Sequence, residues 1–164
     1  MAHGTFYNYF DDRQALLDEL LPYEGLRMRA QIEDQARQAA PGMEREFARF
    51  GAFLDYVAGN DGFYRVLYEA EIFAPEAHRA HMDNIVQGYH RTFARAMVEG
   101  RMRMLDKPQV ECLIYQLLGM RAYAAMQIHG VTAMADKLAL KEAAVEMYRL
   151  LLGASVLNPQ AGPS

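Results

Sequence analysis

The chain has 164 residues, 52% hydrophobic and 23% charged, with a formal net charge of −4 and a pI near 5.7. That length suits one domain with its own core, and the charged fraction argues against whole-chain disorder. A single cysteine excludes an internal disulfide framework and a cysteine-based zinc site, and the acidic balance counts against a surface built mainly to grip nucleic acid.

The pattern predicts helix almost throughout. Beta-branched residues are scarce, while alanine, leucine, methionine and glutamate are common. Asp11 or Asp12 can cap a first helix carrying Leu16, Leu17, Leu20 and Leu21; Pro22 is expected to kink or briefly break it before the pattern resumes towards Ala39. A second helix is predicted over about Met43 to Ala58, with Phe47, Phe50, Leu54 and Val57 on one stripe. Asn60 or Asp61 caps a short third, holding Phe63, Leu67 and Ala70. The fourth starts near Pro75 and ends before Gly100, its stripe being Met82, Ile85, Tyr89, Phe93 and Met97. The fifth, about Pro108 to His129 with Asp106 as cap, is apolar on most faces. Val110, Ile114, Leu117, Ala124 and Ile128 line one side; Cys112, Tyr115, Gly119, Ala122 and Met126 line another. Such a helix must be covered on most faces, which points to a second copy of the chain. The last helix is predicted from about Leu138 to Leu152, and Asn158 to Ser164 as a disordered tail. Gly59, Gly100, Gly130 and Gly153 are expected to end helices in the left-handed cap conformation.

No apolar run approaches the roughly 20 residues needed to span a bilayer. Residues 1–12 show no basic cluster followed by an apolar run, so the expected location is the cytoplasm, with no membrane partner. Enzyme motifs are missing too: there is no Gly-x-Ser-x-Gly, no phosphate-cradling glycine loop and no His-Glu-x-x-His. The expectation is a non-enzyme without cofactor or metal. His78 and His81, three apart, could share a helix face as metal ligands, but this polar segment reads as a solvated helix start. Cys112 reads as a packing residue in the most apolar helix.

The informative segment is Gly4-Thr5-Phe6-Tyr7-Asn8-Tyr9-Phe10-Asp11-Asp12-Arg13, followed by Leu16 and Leu17. It resembles the end of the helix-turn-helix in TetR-type transcriptional regulators, where a short recognition helix reading Gly-Thr-aromatic-Tyr-x-Tyr-Phe precedes an acidic cap, a basic residue and an apolar pair. The Glu-Ala-Glu-x-x-Ala-Pro stretch at Glu69–Pro75 and the helix ending at Gly100 agree with that layout. Physically, Phe6 and Phe10 share one helical face, Thr5 sits at a helix start, and the Tyr7 and Tyr9 hydroxyls and Arg13 can meet phosphate oxygens. Two helices that precede the recognition helix in that family do not stand before Gly4 here. Residues 1–10 are therefore expected to be a remnant of the recognition helix, and this polypeptide is not expected to bind operator DNA specifically. DNA contact by Thr5, Tyr7, Tyr9 and Arg13 is expected only in a longer chain.

The resemblance implies an all-α, antiparallel helical bundle over residues 11–157: the effector-binding and dimerisation domain of a repressor. It implies a homodimer through the last two helices, and a pocket for a small, mostly apolar or aromatic effector that shifts the dimer to a DNA-incompetent state. The alternative is a helical homodimeric interaction or ligand-binding module with no DNA role. Candidate ligand residues are Phe50, Tyr68, Met82, Tyr89, His90, Phe93, Tyr115, Gln116 and Tyr123, which combine adaptable apolar surface with hydroxyl, imidazole and amide groups. Arg121 lies in the apolar fifth helix and needs a partner. An acidic side chain of this chain or of a second copy is expected; a ligand carboxylate or phenolate is the other option.

Overall fold

A computed structural model describes residues 12–157. The proposed recognition-helix remnant, with Thr5, Tyr7 and Tyr9, and the tail from Asn158 lie outside the described residues. Six helices follow in order: α1 Arg13–Ala36, α2 Met43–Gly59, α3 Asp61–Phe73, α4 Pro75–Val98, α5 Lys107–His129 and α6 Met134–Ser155. The fold is all-α, and no helix among the described residues is long and apolar enough to cross a membrane.

Local signals account for most boundaries. The Asp12 side chain accepts from the Ala15 amide at 2.9 Å. Asp106 and Gln109 form a reciprocal capping box, with bonds of 2.8 and 3.0 Å. Pro75 occupies the first turn of α4, where its missing N–H leaves no bond unmade. Gly42 enters α2 at φ 92°, and Gly100 leaves α4 at φ 69°, backbone that other L residues rarely adopt.

Three expectations change. Pro22 does not end α1, which runs unbroken through it; Leu21 and Gly25 are buried beside it, so packing holds the helix despite the lost bond. The last helix starts a turn earlier than predicted, at Met134, because Lys137 is buried there and its ammonium donates to the Ala58 carbonyl at 3.3 Å. Of the four glycines expected as left-handed caps, only Gly100 is one: Gly130 is a right-handed C-cap, Gly59 ends α2 without positive φ, and Gly153 lies inside α6.

Helix α2 is the centre of the domain and packs against α1, α3, α5 and α6. Its buried Phe47, Phe50, Leu54 and Val57 meet Tyr89 and Phe93 of α4, Ile114 of α5 and Tyr148 of α6 in one core. The Phe50 and Tyr148 rings lie 4.5 Å apart. A smaller cluster of Leu17, Leu21, Ala70 and Ala74 joins α1 to α3 and the start of α4. Polar contacts fix α2 at its edges: Tyr56 donates to Glu24 of α1 at 2.8 Å, and Lys141 of α6 pairs with Asp55 at 2.7 Å. The loop after α4 is tied to the end of α6 by the Met102–Leu157 bridge.

Leu54 is fully buried at the centre of α2. Leu54→Ala is expected to lower unfolding free energy by about 2–5 kcal/mol, measured by urea denaturation followed by circular dichroism.

Candidate functional site

Between α1, α2, α3, α4 and α5 lies a cavity of about 1190 Å³. It is large compared with the roughly 300–1,000 Å³ of ordinary small-molecule pockets. Its apolar wall comes from Met28 and Ile32 of α1, Phe53 of α2, Phe63 and Leu67 of α3, and Met82 and Ile85 of α4. Each of these helices turns one stripe inward, and the stripes meet around the space rather than filling it.

The polar wall is built on α2 and α5. Arg121 of α5 donates to Glu46 of α2 at 3.1 Å, and Arg49 lies 3.6 Å from the same carboxylate. Arg49 also forms a bidentate pair with Glu33 of α1, at 2.7 and 3.2 Å. The Arg121 guanidinium sits 5.3 to 5.8 Å from the ring centres of Tyr89, Phe53 and Phe50, within cation–π range. Only 4% of the Glu46 side chain and 15% of the Arg121 side chain is exposed.

Burial decides the electrostatics. It pushes the Glu46 carboxyl up, and the adjacent Arg121 and Arg49 charges offset only part of that rise. For Arg121, burial opposes the charge, but Tyr89, Glu46 and Tyr148 favour it and raise its pKa. The Arg49 hydrogen bond holds Glu33 below its ordinary value. Tyr89 lies 3.4 Å, oxygen to oxygen, from Tyr148, and burial pushes it up to about 12. These two hydroxyls therefore stay neutral. In all, the wall carries seven arginines against five glutamates, in a chain whose net charge is −4.

No protein-family profile matches the sequence, and no curated protein does. Among solved structures, the chain is similar to a TetR-family transcriptional regulator from Pectobacterium atrosepticum. The TM-score is 0.72 at 20% identity, over 98% of this chain and 80% of that one. The chain has the TetR-type fold.

Within that fold the sequence candidates separate into groups. Tyr68, Met82 and Tyr89 line the cavity. Phe50 and Phe93 are buried in the core behind it. His90 lies off the cavity wall and pairs with Glu111 at 3.1 Å. Tyr115, Gln116 and Tyr123 stand on the exposed face of α5, so they do not share the cavity with the others. Helical spacing alone does not say which side of α5 faces α2. Arg13 pairs with Glu69 at 2.7 Å and lies over the Phe73 ring at 4.2 Å, which anchors α1 to α3.

Two further expectations are corrected. His81 is not a solvated helix start: it is 7% exposed, lies against Gly25 of α1 and lines the cavity. No group of three or more potential metal-ligating residues occurs among the described residues. Cys112 is exposed rather than packed, with Gln116 donating to its sulfur at 3.6 Å. Sequence reasoning missed Glu46, Arg45 and Arg49. A signal existed: Glu46, Phe50 and Phe53 share one helical face, so a carboxylate stood within an apolar stripe.

Removing Arg121 leaves Glu46 buried with less compensation. Arg121→Ala is expected to cost about 3–5 kcal/mol, while adding Glu46→Leu recovers much of that loss; urea denaturation of both variants measures it. His81 gives a pH signature. Burial lowers its pKa from 6.5 to about 4, with the His78 and Arg29 charges adding to the effect. The unfolded chain therefore binds more protons between those values, and stability is full above pH 6.5 and falls as pH drops towards 4. The loss reaches about 3 kcal/mol, and His81→Gln is expected to remove that part of the acid slope in a pH series of unfolding curves.

Proposed function

We propose that this chain is the ligand-sensing and dimerisation domain of a TetR-type transcriptional repressor. The observation that carries the reading is the cavity, which reaches five of the six helices and combines apolar with polar and charged side chains. A small, mostly apolar or aromatic effector enters it, and Tyr68, Met82 and Tyr89 contact the ligand. The effector binds one arrangement of α1 and α4 better than another, and only that difference in affinity moves the dimer towards its DNA-incompetent state. In operator binding, Thr5, Tyr7 and Tyr9 belong to the recognition helix of a helix-turn-helix. The domain acts in the cytoplasm and needs no cofactor.

The homodimer forms through α5 and α6. Tyr115, Tyr123 and Met126 of α5 and Met134, Leu138, Met147, Leu150 and Leu151 of α6 are each between 46% and 68% exposed. Large apolar side chains gathered on two adjacent helices suit a surface that meets a second copy of itself.

Light scattering is expected to give about twice the 18.6 kDa chain mass. Tyr123→Glu with Leu150→Glu is expected to shift the population to monomer, and a monodisperse monomer of the unmodified chain would contradict the dimer. A panel of lipophilic and aromatic compounds is expected to include some that raise the melting temperature, the added stability reaching about 2.7 kcal/mol at a hundredfold excess over Kd.

A further inference from the structure

The cavity wall holds more positive charge than its own carboxylates balance. Glu33 and Glu46 are shared among Arg49 and Arg121. Arg45, next to Glu46 on α2, also bears electrostatically on Glu33 but forms no ion pair among the described residues; its Nη2 donates to the Ala39 carbonyl at 3.3 Å. Arg37 bears on Glu33 as well, so the guanidiniums around Glu33 and Glu46 outnumber these two carboxylates.

Hydrogen bonding points the same way. A guanidinium has five N–H donors. Arg121 gives Nη2 to Glu46, yet its Nε–H is buried without an acceptor among the described residues. The Arg45 Nε–H is in the same condition. Both side chains line one cavity, where a ligand meets the terminal Nη groups rather than the closed-off Nε atoms. The same cavity is lined by the apolar side chains of Met28, Ile32, Met82 and Ile85. Arg29, Arg91 and Arg95 are exposed lining residues that favour approach of an anion.

We propose that the cavity takes an amphipathic carboxylate, with its carboxylate at the wall formed by Arg45, Arg49 and Arg121 and its apolar body along the α1 and α4 stripes. The inference rests on the effector-binding reading above and names the chemical class of the effector. A carboxylate meets the positive excess of the lining and accepts charge-assisted bonds from the terminal Nη groups of these arginines.

Matched acid and amide pairs test this on the full chain: octanoate against octanamide, and naphthoate against naphthamide, each titrated calorimetrically. At least one acid is expected to bind about tenfold more tightly than its amide. Arg45→Gln leaves the Arg121–Glu46 pair intact; it is expected to weaken acid binding about tenfold and leave amide binding unchanged. Arg121→Lys keeps a positive charge beside Glu46 but removes the guanidinium fork, and is expected to weaken the acid selectively as well. Equal binding of acids and amides, or equal weakening of both by Arg45→Gln, overturns the carboxylate inference and leaves the effector reading standing. Failure of all four compounds to bind overturns the effector reading and this inference with it.

Discussion

The Arg121–Glu46 pair is the constraint around which the domain is arranged. A charge in an apolar helix is tolerable only where a counter-charge and polarisable surface meet it. Glu46 supplies the first from α2, and the rings of Phe50, Phe53 and Tyr89 supply the second. This fixes which side of α5 faces α2, and so which side of α5 is left outside. It also brings α4 into the arrangement, because Tyr89 touches both Arg121 and, through its hydroxyl, Tyr148 of α6. Four helices thus converge on two charged side chains.

The same pair anchors the charged wall that α2 and α5 give to the cavity. Arg49 extends the network to Glu33, so α1 is tied electrostatically to α2 at that wall and by Tyr56–Glu24 further along. Between these ties α1 also approaches α4 closely, at Gly25 and His81, where an added Cβ would stand 2.9 Å from the imidazole. Movement of α1 relative to α4 therefore requires that contact to change. The buried, neutral imidazole is a dense packing element there.

Much of the fold was legible in linear spacing. Asp12, Pro75 and Asp106 mark helix starts through local chemistry that acts within one turn, and the stripes of α2 and α4 are their buried faces. Pro22 and Gly153 were misleading for one reason: intrinsic preference is worth a few kcal/mol at most, and tertiary burial of neighbouring residues exceeds it. The site was less legible. Tyr68, Met82 and Tyr89 line the cavity, but Tyr115, Gln116 and Tyr123 look equivalent in sequence and stand outside. A helix apolar on several faces carries no mark of which face is turned inward.

Sequence alone determined the helical class, most helix boundaries, the resemblance to TetR-type regulators and the need of Arg121 for a partner. All of these follow from interactions between residues a few positions apart, or from the cost of an unpaired charge. Only the tertiary structure decided that the partner is Glu46, 75 positions away and in the same chain. It alone decided that His81 is buried and that an acidic chain lines its cavity with an excess of arginine. Net charge is a sum over the chain, whereas the field inside a cavity depends on which few side chains the packing turns towards it, and spacing along one helix does not carry that choice.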